Sequence, residues 1–175
     1  MSEPAARVSD RKQHRATSSR LSAVFGLSVL AGRWPAASLT ARQAAQAAGL
    51  DGVEVLQADA GITDVCAGAV PAQIVVACGI FGNITGSGIQ ATVAALPSLC
   101  APGALVLWTR HRSPPDLTPA IRSWFGEAGF REEAFDTSHD GFMSVAAHRL
   151  TGEPAALVLG QRLFTFPGGT ELRPS

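Results

Sequence analysis

The chain has no excess of either charge. Its 14 lysines and arginines balance 14 aspartates and glutamates, so no global field gathers phosphate backbone or anionic lipid, and neither nucleic acid nor a membrane is indicated as a partner. It also lacks paired cysteines: Cys66, Cys78 and Cys100 stand singly, with no CxxC. A disulfide framework and a zinc site are therefore disfavoured. Cys78 and Cys100, beside apolar runs, are expected to be reduced, buried thiols of a cytoplasmic protein. Metal-ligand spacing is missing, no serine occupies a nucleophile elbow, and no internal repeat is visible. These absences remove hydrolytic triads, metal chemistry and repeat scaffolds from the first rank of readings.

What remains is the composition of one globular domain, 175 residues at 46% hydrophobic and 16% charged, long enough to bury a substantial core. Three stretches are expected: an aberrant or disordered segment over 1–39, an α/β domain over 40–150 and an extension over 151–175. Residues 1–20 carry Arg7, Arg11, Lys12, Arg15 and Arg20 with few large apolar side chains, which favours disorder. The apolar run 21–34 has the layout of a secretory signal, but it is short for a bilayer and its polar lead-in is long. A buried helix or strand is the stronger account of it.

From Thr40 the pattern alternates between helix and strand. Thr40 is placed to cap an alanine-rich helix that stops at Gly49 and packs closely on a sheet. Residues 53–57 alternate apolar and polar as a strand does, and 73–78 and 104–109 are near-continuous apolar runs, as parallel strands covered on both faces require. Between these two runs Ile89, Val93 and Leu96 mark a crossover helix capped by Ser87 and disturbed by Pro97. Thr118 and Pro119 open a helix whose Ile121, Trp124, Phe125 and Ala128 form one stripe, with Gly129 past its end. Strands over 131–135 and 142–148 follow as an antiparallel pair. The tail ALVLGQRLFTF reads as an extended segment against the sheet edge, and PGGTELRPS as frayed.

In open parallel sheets, ligands bind outside the carboxyl ends of the strands. Three strand ends carry chemistry. Asp59 follows the first expected strand, where it either receives a ligand donor or makes a local turn. The stretch CGIFGNITGSG at 78–88 places glycines right after a core strand, so that backbone can approach a ligand. ThrArgHisArg at 109–112 offers an anion site and a proton acceptor, or only a solvated loop. Asp136, His139 and Asp140 read as a polar hairpin turn. Within 78–88, GSGIQA fits the G-x-G-x-x-A form of the dinucleotide fingerprint, with Arg110 and Arg112 suited to a 2′-phosphate. FGNIT separates it from the strand, so an NADP-dependent oxidoreductase ranks behind the other readings.

At these strand ends the sequence resembles the class I S-adenosylmethionine-dependent methyltransferases. The match runs through VEVLQADAG, AQIVVACGIFGNI, LPSLCAPGALVLWTRHR, LTPAIRSWFGEAGF and REEAFDTSHDGFMSVAAHRL, about 110 residues. The resemblance implies a Rossmann-like three-layer sandwich whose mostly parallel sheet ends in an antiparallel strand. It implies S-adenosyl-L-methionine as cofactor, held by Asp59, Ala60, Cys78, Gly79, Ile80 and Phe81, with Asn83, Arg110 and His111 on the substrate side. No catalytic residue is singled out, because alignment of the reacting groups supplies most of the rate in such a transfer. The sequence departs from the family at its start. Residues 1–40 contain no GxGxG loop, and no acidic residue lies between Asp10 and Asp51 to bind the ribose. An atypical N-terminal third of this kind weakens cofactor binding by about 1 kcal/mol or more for each hydrogen bond lost. The competing expectation is a catalytically silent Rossmann-like remnant that binds a partner.

Overall fold

The computed structural model describes residues 23–25, 35–50, 52–56 and 58–167. Eight elements organise them: β1 (Ala23–Phe25), α1 (Pro35–Ala47), β2 (Ala72–Ala77), α2 (Gly86–Ala95), β3 (Cys100–His111), α3 (Thr118–Glu127), β4 (Phe130–Thr137) and β5 (Met143–Leu150). The strands form one mixed sheet in the order β1-β2-β3-β5-β4. β1 and β2 pair in parallel, as do β2 and β3. β5 runs antiparallel to both β3 and β4, so it alone is reversed. The result is an α/β fold with a mixed sheet, compatible with a Rossmann-like one.

The apolar runs become strands because the sheet buries them. Val75, Ala77, Val106, Trp108, Ala146 and His148 alternate along β2, β3 and β5 and are buried on one face. On the other face Ile74, Val76, Leu105, Leu107 and Ala147 are half-buried. α3 packs on the buried face, where Phe125 stacks on Trp108 with ring centroids 6.1 Å apart, and α2 packs against α3. None of the described side chains of α1 is buried, so the described residues form two layers of the expected three.

α3 follows its sequence signal: Ile121 and Phe125 are fully buried, Trp124 and Ala128 partly, and Gly129 takes the left-handed φ of 83° that the helix end requires. Its start differs by one residue. Thr118 is already helical, and its backbone N–H donates to the Asp116 carboxylate at 2.9 Å, so aspartate does the capping. α2 is likewise capped by Thr85 rather than Ser87, the Thr85 hydroxyl accepting from Gly88 N at 3.1 Å. Ile89, Val93 and Leu96 are buried as their spacing predicts. The antiparallel pair forms, each strand somewhat longer than its apolar run.

Four other expectations are corrected. α1 begins at Pro35, so Thr40 lies inside it. Its end is as expected, with Gly49 at φ 65° and Leu50 N donating to Ala45 O. Among the described residues no side chain of α1 is buried, and Arg42 donates to the carbonyl of Val55 at 3.0 Å. Residues 53–56 form no strand, and Val53 and Leu56 remain 42% and 41% exposed. Alternation prepares a segment for a pleated surface, but a strand needs a neighbour to receive its backbone hydrogen bonds. The thiol of Cys78 is exposed, whereas Cys66 and Cys100 are buried, and burial pushes Cys100 up to about 12.

The tail is the fourth correction. Residues 157–166 do not extend the sheet; they form a strap over residues 59–64. Thr63 N donates to Gln161 O at 3.1 Å, Leu163 N to Gly61 O at 2.8 Å, and the Thr63 hydroxyl to Val158 O at 2.7 Å. Leu163 and Phe164 of the strap are buried. The frayed end expected after Pro167 lies outside the described residues.

The core also holds a polar group that the sequence did not announce. His148 is 1% exposed and faces Phe125 at 4.2 Å. Trp108 Nε1 donates to its Nδ1 at 3.3 Å, and its Nε2 lies 3.5 Å from Glu132, which Arg122 holds through two hydrogen bonds. An indole N–H can only donate, so Nδ1 carries the lone pair and the neutral ring keeps its hydrogen on Nε2. Burial lowers the His148 value, with Glu132 opposing. The unfolded chain, titrating at about 6.5, takes up a proton that the folded core resists. Stability is therefore expected to fall as pH drops through that value and to go on falling until the lower folded value is passed. Urea midpoints compared between about pH 7.5 and pH 5.5 should decline more steeply in the wild type than in a His148→Gln variant. Parallel declines would remove His148 from the cause.

Candidate functional site

The carboxyl ends of β2 and β3 meet at the loop 78–83. β2 ends at Ala77 because Gly79 turns the chain with φ 73°, after which Ile80 and Phe81 dive into the core. Phe81 is fully buried, 5.9 Å from Trp108 and 6.5 Å from Phe125 by ring centroids. Asn83 closes the loop by donating from Nδ2 to Gly79 O at 2.8 Å. The chain then enters α2 at Gly86.

Successive residues at the end of β3 hold this loop. Thr109 accepts from Gly79 N at 3.4 Å, Arg110 donates from Nη1 to Phe81 O, and His111 Nε2 lies 3.1 Å from Gly82 O. A carbonyl only accepts, so Nε2 of His111 carries the hydrogen. The close approach explains Gly82: a methyl group there would sit 2.9 Å from the imidazole. On its far side the ring stacks on the exposed Phe142 at 6.1 Å. Arg112 pairs with Asp116 at 3.0 Å. Hydrogen bonds from Thr118 and then from Arg112 hold the Asp116 carboxyl below its usual range.

Asp59 lies at the strap. Its Oδ1 accepts from Gly61 N at 2.9 Å and its Oδ2 from Arg162 at 3.0 Å, while the side chain stays 53% exposed. Phe164 joins this region to the start of α2, since a methyl group on Gly88 would meet the Phe164 Cβ at 3.5 Å. Asp59 thus belongs to the same end of the sheet as the 78–83 loop, but among the described residues no hydrogen bond or ion pair links the two.

The structure therefore brings Gly79, Phe81, Asn83, Arg110 and His111 together and leaves Asp59 and Ala60 to one side. Cys78, Gly79 and Asn83 are exposed, whereas Ile80 and Phe81 have buried side chains and can offer a ligand only backbone. Nothing lies within 4 Å of a methyl group placed on Gly79, so a ligand has open approach to that backbone. GSGIQA forms the first turns of α2, separated from the end of β2 by eight residues, with Arg110 tied to Phe81 and Arg112 to Asp116. Asp136 lies within β4, paired with Val145, while His139 and Asp140 lie in the β4–β5 turn, where Asp140 accepts from Phe142 N at 3.0 Å. Among the described residues, no group of three or more His, Cys, Asp or Glu is placed to hold a metal.

Sequence reasoning missed Asp116 and Arg162, and named Thr109 only as part of the 109–112 stretch. Asp116 carried a signal, an acidic residue just before a first-turn proline. Arg162 carried none, because it meets Asp59 across 103 residues of chain.

No family model matches this chain, and no curated protein matches it. Among solved structures it is similar to the crystal structure of the antibiotic-resistance methyltransferase Kmr, at 14% identity and a TM-score of 0.33, over 45% of this chain and 50% of that one. It is also similar to a structure described as a possible exported protein from Bordetella parapertussis, at 15% identity and a TM-score of 0.37, over 53% of this chain and 49% of the other. The chain spans about half the length of the solved structures it matches. No helix among the described residues is long and apolar enough to cross a membrane.

Proposed function

We propose that the chain binds S-adenosylmethionine at the carboxyl ends of β2 and β3 and transfers its methyl group to a nucleophile on a second ligand. The observation that supports this best is the loop 78–83. It is a glycine-rich turn directly after a parallel strand, open to a ligand at Gly79 and pinned by three consecutive residues of the next strand. A rigid backbone at the strand ends suits a reaction in which holding two ligands in line is the main task. In this reading Cys78, Gly79, Ile80 and Phe81 line the cofactor, Ile80 and Phe81 through backbone alone. Asp59 and Ala60 take its adenine side, and Asn83, Arg110 and His111 face the acceptor. The cofactor supplies the activated methyl; the chain supplies position. We place the activity in the cytoplasm, in keeping with unpaired cysteines.

Calorimetric titration with S-adenosylmethionine is expected to show saturable binding that weakens in an Asp59→Ala variant. No heat at about millimolar ligand would overturn the proposal. One observation favours a second reading, that of a silent remnant: Asp59 already has a partner in Arg162. On that reading the titration stays flat for the wild type and for Arg162→Ala alike.

A further inference from the structure

Arg110 is the part of this site that its contacts do not explain. The residue is 6% exposed and points from β3 into the face that carries α2 and α3. Its guanidinium makes one hydrogen bond among the described residues, from Nη1 to the carbonyl of Phe81, and its Nε is buried with no partner. The carbonyl is neutral and balances no charge. Asp116 is the carboxylate that acts on Arg110, but its oxygens are committed, Oδ1 to Thr118 N at 2.9 Å and Oδ2 to Arg112 Nε at 3.0 Å. Burial accordingly lowers the Arg110 value, and Asp116 opposes this as the lesser influence. A stranded donor and an uncompensated charge are both unfavourable away from water.

With Nη1 occupied, Nε and Nη2 remain as a parallel pair of donors, the edge of a guanidinium that fits two oxygens of one planar group. We propose that this edge of Arg110 is the receptor for a carboxylate on a ligand bound at the carboxyl end of β3. A monoanion fits better than a phosphate dianion, because among the described residues at this strand end Arg112 is already paired with Asp116 and Arg110 alone lacks an ion pair, while Asp116 repels additional negative charge. The starts of two helices converge here, since a methyl group on Gly86 would lie 3.2 Å from Leu117. Their first turns favour an anion, in the same sense as Arg110. That the carboxylate belongs to the methyl acceptor rests on the function proposed above; the binding site does not.

The probe is benzoate, added to protein labelled with nitrogen-15 and compared with chloride at equal ionic strength. One arginine Nε–H resonance, absent from an Arg110→Met variant, is expected to shift saturably with benzoate and not with chloride. The melting temperature should rise with benzoate in the wild type alone. Arg110→Met exchanges a buried cation for an apolar chain of similar length, a change that folded proteins tolerate. Should it fail to fold, an Arg110→Lys variant assigns the resonance and the wild-type titration decides. No shift, an equal response in the variant, or tighter binding of phenyl phosphate than of benzoate overturns the proposal. If benzoate binds while S-adenosylmethionine neither binds nor alters that affinity, methyl transfer fails and the carboxylate site stands. The reverse result removes the site alone.

Discussion

A Phe125→Ala variant is expected to lose about 3–5 kcal/mol of stability, much of what a domain of this size possesses. Phe125 is fully buried, and its ring meets His148 at 4.2 Å, Phe130 at 5.3 Å, Trp108 at 6.1 Å and Phe81 at 6.5 Å. Those partners come from the loop after β2, from β3, β4 and β5, so the single ring ties α3 to most of the sheet. Truncation leaves a cavity lined by large rings that cannot collapse into it, which puts the cost at the upper end for such changes. It also loosens Phe81, whose carbonyl anchors Arg110. Urea denaturation followed by circular dichroism measures the loss; a decrease under about 1 kcal/mol would mean that α3 is not seated on the sheet as described.

The second large effect is expected at Gly61. Its backbone does not need a positive φ; it needs room. A methyl group there would stand 2.3 Å from the Phe164 carbonyl oxygen and 3.1 Å from Asp59 Oδ1. The nearer atom is backbone, so no rotamer change relieves the clash. Gly61→Ala is therefore expected to push the strap away, breaking the 2.8 Å hydrogen bond from Leu163 N to Gly61 O and unseating Leu163 and Phe164. Overpacking of this kind costs about 1–3 kcal/mol. Amide exchange separates local from global loss: residues 157–166 should lose protection while β2, β3 and β5 keep theirs. Unchanged protection in the strap would show that it is not clamped to 59–64.

The Gly61 contact also bears on the cofactor site proposed above, since Asp59 is held on one side by Gly61 and on the other by Arg162. Loosening the strap frees the carboxylate that the methyl-transfer reading assigns to adenine. Gly61→Ala is thus a variant in which stability falls while access to Asp59 increases.

Local pattern was enough for the elements whose neighbours are near in the chain. The stripe of Ile121 and Phe125, the strands around Val75 and Val106, and the antiparallel pair that ends at Leu150 were all legible, because burial on one face leaves its period in the residues themselves. The candidate loop was legible as well: a glycine-rich stretch after an apolar run, with Arg110 and His111 at the end of the next strand.

Tertiary structure decided what depended on distant partners. Residues 53–56 alternate like a strand yet have no neighbour to pair with, while 157–166, read as one more piece of the sheet, finds its partners at 59–64 instead. The same holds at the site, where the sequence presented Arg110 and His111 as groups facing a ligand and the fold turned one hydrogen bond of each onto the 78–83 loop. A period in the chain records which face is buried. It does not record which backbone atom lies opposite, and here that second fact governs the strap, Asp59 and the unpartnered Nε of Arg110.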